Sequence, residues 1–299
     1  MLIKNSKLTK ARIDTKDNYK AGIFFIITAS ICLALMAVMV KYVRHLPLME
    51  IILFRNIPTM LIIPLMIKKT NISFLGNNKF ILWFRSLIET IAMMTAYYAL
   101  TVMSLTDAVT IFNLSPFFTF LLAGIFLKEK LHFRQLLFFI FAFLGAMLVI
   151  KPGLRLDMLP AFVALVAASC MAISFVSLRH LRLTDHHLVI ANYFAYISGV
   201  VSLIILLVQK NFQLPSPSDL LILILLGAVS LASRILIIKA YQKAQASLVS
   251  LYTYSQIIFA SVFGLLFFKE IPDIFSIIGA SLIIISGYLN YRYKSNIEI

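Results

Sequence analysis

The chain has 299 residues, of which 61% are hydrophobic and 13% charged, against roughly half and roughly a quarter in soluble domains. A soluble fold of this size has too little interior to hide that apolar surface, so the solvent is lipid; disorder, a coiled coil and a disulfide scaffold are excluded as well. The net charge of +15 would suggest nucleic acid in a soluble protein, but here the charges punctuate apolar stretches of spanning length and no nucleic-acid partner is expected.

Residues 1–20 form a basic tail. The apolar run that follows has no small-residue cleavage site, and Ile31 before Cys32 does not fit a lipoprotein signal, so the run reads as a retained transmembrane helix. Ten spans of about 20 residues follow in order: 21–40, 48–67, 80–103, 107–127, 133–150, 158–178, 188–208, 218–238, 246–268 and 274–291. They are continuously apolar and do not alternate, which selects helices over a barrel. The expected fold is therefore all-α and integral to the membrane. Residues 294–299 form a second short tail.

An even number of spans puts both ends of the chain on one side. With the termini inside, eighteen Lys and Arg lie inside, six outside and three (Arg55, Arg85 and Arg234) within spans. The positive-inside rule then places both termini in the cytoplasm, with the inner membrane as the location.

Ser115 to Glu129 in the first half and Gln256 to Glu270 in the second carry the same pattern. Each is an apolar helix that leaves the membrane at Gly-x-x-x-Lys-Glu or a close variant, followed by a short link and one more span. The offset at Lys128-Glu129 and Lys269-Glu270 is 141 residues, and the same offset places Ala99 on Ala240. The chain thus divides into five spans over 21–151 and five over 152–293. Five is odd, so the second copy inserts inverted. Inverted repeats with a site between them mark secondary transporters.

These repeats, the short connection at 103–108 and the Lys-Glu exits resemble the drug/metabolite transporter superfamily, and each repeat resembles an EamA domain. Leu53-Phe54-Arg55, Phe84-Arg85-Ser86 and Ser115-Pro116-Phe117 resemble the branch that contains S-adenosylmethionine uptake transporters of obligate intracellular bacteria and related riboflavin importers. The resemblance implies a substrate cavity between the repeats, lined mainly by spans 1, 3, 4, 6, 8 and 9. The second repeat departs from strict symmetry: it has no counterpart to Arg85, and Met93 stands opposite Arg234.

Ionisable groups at the centre of a bilayer cost at least about 2.5–3.5 kcal/mol each, so their partners must be sought. Arg85 lies about 8 Å inside span 3 at 1.5 Å per residue, and Glu89 lies one turn deeper on the same face. Two readings stand: a self-neutralised pair, or a Glu89 that faces the cavity as a proton acceptor or counter-charge. Arg55 reads as packing in preference to a cavity cation, because the resemblance does not build the cavity from span 2. Arg234 has two readings: a side chain that snorkels to the inner surface, or a substrate-binding residue of the cavity. Glu50 reads as a solvated charge at the start of span 2.

Tyr97, Asn113, Ser115, Tyr252, Tyr254 and Gln256 form polar clusters at mid-depth in spans 3, 4 and 9, with Asn113 aligned on Tyr254 and Ser115 on Gln256. They read as cavity lining, against interhelical glue as the alternative. Pro116 removes one helical hydrogen bond and predicts a kink in span 4. His186-His187 beside Asp185 is a poor metal set, because adjacent residues on a short loop do not make a tetrahedral site. No metal, no cofactor and no P-loop are expected.

The reading is a secondary transporter of a small organic metabolite, with membrane lipid and a proton or counter-substrate as partners, as a monomer or homodimer. Aromatic faces, amides and arginines together favour a ring-bearing zwitterion such as S-adenosylmethionine. An amino-acid or drug exporter and a riboflavin importer are the alternatives within the superfamily. A membrane scaffold or enzyme is the alternative outside it.

Overall fold

A computed structural model describes residues 18–43, 45–70, 72–102, 111–150, 158–269 and 274–297. Eleven helices are formed among them: α1 Tyr19–Tyr42, α2 Leu48–Lys69, α3 Lys79–Val102, α4 Ser115–Phe126, α5 Phe133–Ile150, α6 Met158–Leu181, α7 His187–Gln209, α8 Pro217–Lys243, α9 Ala246–Tyr252, α10 Ser255–Phe268 and α11 Ile274–Ile297. No strand occurs among the described residues. Seven helical segments are long and apolar enough to cross a membrane, one of them α9 and α10 together, and Ser115–Phe126 and Phe133–Val149 are shorter apolar helices. With α3 they make the ten spans of a multi-pass membrane protein.

The helices pair as an inverted duplication requires. Span 1 packs on span 8 and span 3 on span 6, each being the other's image when the halves are exchanged. Span 2 packs on span 7 and span 5 on span 10, pairs that map onto themselves. The α5–α11 pair approaches closely at two glycines: a Cβ on Gly145 would lie 2.6 Å from the Gly279 carbonyl oxygen. Lipid tails give helices little hydrophobic reason to associate, so close backbone approach of this kind supplies the contact.

The two described ends of the chain lie on one face. The Tyr19 and Tyr291 rings are 6.1 Å apart, and the Asn18 N–H donates to the Lys243 carbonyl oxygen at 2.7 Å. On this face Asp185 accepts from the Asn77 and Asn78 N–H groups at 2.6 and 3.1 Å, which ties the α6–α7 loop to the start of α3. Glu129 accepts from the Ala246 and Ser247 N–H groups at 2.9 and 3.0 Å and caps α9. The Glu of the first Lys-Glu exit therefore fastens span 4 of one repeat to span 9 of the other. Lys128 and Lys269 both take left-handed backbone, with φ of 53° and 58°, so the repeated Lys marks the same turn at both span ends. Glu270 lies outside the described residues.

Spans 4 and 9 are both broken in mid-membrane. A turn at Asn113–Leu114 precedes α4, which carries Pro116 in its first turn, where no N–H is needed. A turn at Thr253–Tyr254 separates α9 from α10. Span 9, expected as one helix, has no proline. Its hydroxyls supply the break: Thr253 donates to the Ser250 carbonyl at 2.6 Å and Ser255 to the Tyr252 carbonyl at 2.7 Å, competing with the helical ladder.

Glu50 is fully buried, not solvated, because one oxygen accepts from the Gln213 N–H at 3.1 Å and holds the α7–α8 loop over it. The expected end of span 8 also moves. Its helix continues to Lys243, which leaves Arg234 more than two turns inside.

Candidate functional site

The face of α3 that carries Arg85, Glu89, Ala92, Met93 and Ala96 has the i, i+4, i+7, i+8, i+11 spacing of one helical stripe. It lines a cavity of about 390 Å³ together with residues of α1, α2, α6, α7, α8 and α10. At the centre sits Glu89. One carboxylate oxygen pairs with Arg85 Nη2, one turn back on α3. The other accepts from Arg234 Nη1 of α8 at 2.9 Å. Ser174 Oγ of α6 lies 3.4 Å from the oxygen that Arg85 holds.

Phe194 of α7 backs both cations: the Arg234 guanidinium lies 3.5 Å from its ring centroid and that of Arg85 5.9 Å away. An arginine against an aromatic face in a desolvated site gains cation–π attraction. Arg55 reaches the same cavity from α2, with its Nη2 3.3 Å from the Met93 sulfur. The described lining thus holds three guanidiniums and one carboxylate. Arg85 Nε and Nη1 and Arg55 Nε are buried and have no hydrogen-bond partner. Such donors in a low-dielectric site favour an acceptor strongly, because an unpaired buried N–H forfeits its hydration.

Five of the residues singled out from sequence therefore come together: Arg55, Arg85, Glu89, Arg234 and Gln256. Of the two readings of Arg234 the geometry matches the cavity one: its guanidinium lines the cavity and is held by Glu89. Arg55 is not packing alone, since span 2 contributes to the cavity after all. Four residues expected in the lining are elsewhere. The Tyr252 hydroxyl donates to the Gly287 carbonyl at 2.9 Å and the Tyr254 hydroxyl to the Asn113 carbonyl at 2.7 Å. Ser115 Oγ is buried without a partner, and neither it nor the Asn113 side chain is part of the lining. An unbroken span 9 would put Tyr252 and Gln256, four residues apart, on one face. The turn between them separates the two. The Tyr97 side chain lies outside the described part of the molecule.

Sequence reasoning missed Phe112, Phe175 and Phe194 as cavity walls, because 25 phenylalanines give no contrast. It also missed Ser174, Ser230 and Ser233. Their signal was a small hydroxyl in an otherwise apolar span. The lining positions also repeat at the offset of 141: Leu33 with Ser174, Glu89 with Ser230, Ala92 with Ser233, Met93 with Arg234 and Ala96 with Ile237.

At the start of α7, His186 Nδ1 accepts from the Leu188 N–H at 3.3 Å and caps the helix. Burial and the nearby Lys239 hold its pKa below the ordinary histidine value. Among the described residues no three His, Cys, Asp or Glu come together as metal ligands.

Three known proteins are similar to this chain over most of its length. The chain is 31% identical over 281 residues to solute carrier family 35 member G1 of Mus musculus, a match that covers 89% of this chain and 76% of that one. It is 28% identical to the pseudopaline exporter CntI of Pseudomonas aeruginosa, with 93% and 98% covered. It is 24% identical to the S-adenosylmethionine uptake transporter of Rickettsia prowazekii, with 91% and 92% covered. The description "EamA-like transporter family" fits residues 20–151 and again 158–292, the two five-span halves. With the duplicated halves, the cavity between them and these relatives in agreement, the chain belongs to the EamA-like transporter family of the drug/metabolite transporter superfamily.

Proposed function

We propose that the protein is a secondary active transporter that moves a small carboxylate-bearing organic metabolite across the inner membrane by alternating access, with both termini in the cytoplasm. The observation that carries this reading is the charge count of the cavity. Three guanidiniums, that of Arg85 buried and those of Arg55 and Arg234 half-buried, face one carboxylate, and three of their nitrogens have no acceptor. A substrate carboxylate meets both needs and can take two parallel hydrogen bonds from one guanidinium. Glu89 then serves as the internal stand-in: it holds Arg85 and Arg234 between substrates and yields one of them when a substrate carboxylate arrives. A proton on Glu89 would release the same arginines, which is how coupling to protons enters. Phe112 and Phe175 offer apolar walls to the remainder of the molecule, and Gln256 and Ser174 offer polar contacts.

S-adenosylmethionine is the second reading, favoured by the Rickettsia relative. Its carboxylate suits the arginines and its ring the phenylalanines. Its sulfonium finds only Glu89, already shared by two cations, so the charge count favours substrates of lower positive charge.

The test is counterflow in proteoliposomes with S-adenosylmethionine, S-adenosylhomocysteine, amino acids and compounds that carry two carboxylates. Exchange that rises with carboxylate number, and that Glu89→Gln abolishes in a folded protein, is expected. Exchange of cationic compounds alone would overturn the reading. Labelling of Asn211→Cys on the α7–α8 loop from outside the cell, and not from inside, checks the orientation.

A further inference from the structure

On the reading that the substrate carries a carboxylate, we propose that this carboxylate docks on Arg55, and that Met93 covers the docking edge until it arrives. Arg55 enters the cavity from α2 and Met93 from α3. The three cavity arginines hold different partners. Arg85 and Arg234 share the carboxylate of Glu89. Arg55 Nη2 donates to the Met93 sulfur at 3.3 Å, and Arg55 Nε is buried without a partner.

A thioether is neutral and a weak acceptor. When a substrate carboxylate takes its place, Arg55 exchanges a weak hydrogen bond for charge-assisted ones, which are roughly twice as strong as neutral ones. Arg85 and Arg234 make no such gain, because each must release one carboxylate to receive another. The covalent geometry of Arg55 points the same way. Nε and Nη2 lie on one edge of the guanidinium, and that edge is a fork that meets both oxygens of a carboxylate. One arm of the fork is unpartnered and the other holds the sulfur.

Met93 is suited to this task. Its side chain is unbranched and changes shape at low cost, so it can leave Nη2 when a carboxylate arrives. It sits one turn beyond Glu89 on α3, at the position that Arg234 fills in the second half. A second arginine there would repel Arg55, whereas a thioether covers the fork without neutralising it. Docking on Arg55 leaves the ion pairs of Glu89 intact at first contact. The transfer of Arg234 from Glu89 to the substrate follows as a separate step.

The experiment measures dissociation constants of the full chain in uncharged detergent, from the rise in melting temperature that a bound ligand causes by mass action. The probes are succinate and phenylacetate, each beside its uncharged carboxamide. Wild type should bind the carboxylates more tightly than the carboxamides. Arg55→Gln should weaken carboxylate binding about tenfold or more, as loss of hydrogen bonds between charged groups does, and leave the carboxamides within about twofold. Arg55→Lys keeps the charge and loses the fork, so it should recover only part of that loss. Met93→Leu keeps the volume and removes the competing acceptor, so carboxylate binding should tighten about threefold. If Arg55→Gln does not fold, Arg55→Lys and Met93→Leu carry the same comparison. A wild type that binds the carboxylates no better than the carboxamides would overturn the reading of the cavity as well. A wild-type preference that survives Arg55→Gln, or unchanged or weaker carboxylate binding in Met93→Leu, would overturn this proposal alone.

Discussion

The two halves of the molecule build one cavity from matching positions and fill those positions with different chemistry. Glu89 and Ser230, Met93 and Arg234, and Leu33 and Ser174 occupy equivalent sites 141 residues apart, and all six line the cavity. The first half supplies Arg55, Arg85 and Glu89, while the second supplies Arg234 and Gln256. The lesson is a division of labour. Helix pairing and the depth of the site follow the duplicated pattern, because packing depends on side-chain volume and small-residue placement. On the proposed function, substrate chemistry resides in the departures from that pattern, because a twofold-symmetric cavity would present two equal charge sets.

Making the halves alike is therefore the most damaging change. Glu89→Ser copies Ser230 and leaves Arg85 and Arg234 without their carboxylate. Removal of one partner from a buried ion pair costs about 3–5 kcal/mol. The variant should lose most of its thermal stability in detergent and all transport. Adding Arg234→Met should restore stability in part without restoring transport. An unchanged melting temperature in the single variant would show that water enters the cavity freely enough to replace Glu89.

Arg234→Met copies Met93 and comes next. Glu89 keeps Arg85, so the fold should survive. Hydrogen bonds to charged groups contribute about 1.5–3 kcal/mol, so counterflow of the carboxylate substrate should fall by roughly 10- to 150-fold. A fall of similar size with an uncharged analogue would mean that Arg234 shapes the cavity and does not read charge.

These substitutions also mark what was legible before the structure. The ten spans, their duplication and the ionisable residues stood out against an apolar background, since a charge in a span has few bland explanations. Which way each one faced did not follow. A span cut at 238 leaves Arg234 one turn from its end, whereas the helix runs five residues further, to Lys243, and leaves it more than two turns in. A continuous span 9 puts Tyr252 and Gln256, four residues apart, on one face. Its break comes from hydroxyl back-bonding at Thr253 and Ser255, which no proline announced. The cavity's phenylalanines were invisible for the opposite reason, being indistinguishable from the rest of the apolar sequence.

The α5–α11 pair lies outside the cavity and maps onto itself, so damage there should spare substrate chemistry. A Cβ on Gly279 would stand 2.8 Å from Val149 Cγ2 and 3.0 Å from Leu148 Cβ, and closer still to the Gly145 carbonyl oxygen. Gly279→Leu overpacks this seam, which costs about 1–3 kcal/mol. The melting temperature should fall, and the substrate's dissociation constant should stay within twofold. A large loss of affinity would mean that the seam moves during substrate binding.

Tyr254→Phe is the smallest change and separates two roles of one residue. Tyr254 is fully buried, and its hydroxyl donates to the carbonyl of Asn113. Both residues sit at the broken part of their span, so one hydrogen bond joins the two interruptions across the repeats. The break before α4 frees carbonyl groups that the helix no longer pairs, and in lipid an unpaired carbonyl is costly. The phenyl ring of the variant keeps the packing and removes only the donor. The expected loss is about 0.5–1.5 kcal/mol, the net worth of one such bond, read as a modest drop in melting temperature. Substrate affinity should not change, because the ring contributes nothing to the described cavity lining. If affinity falls instead while the melting temperature holds, Tyr254 reaches the substrate in another state of the transport cycle.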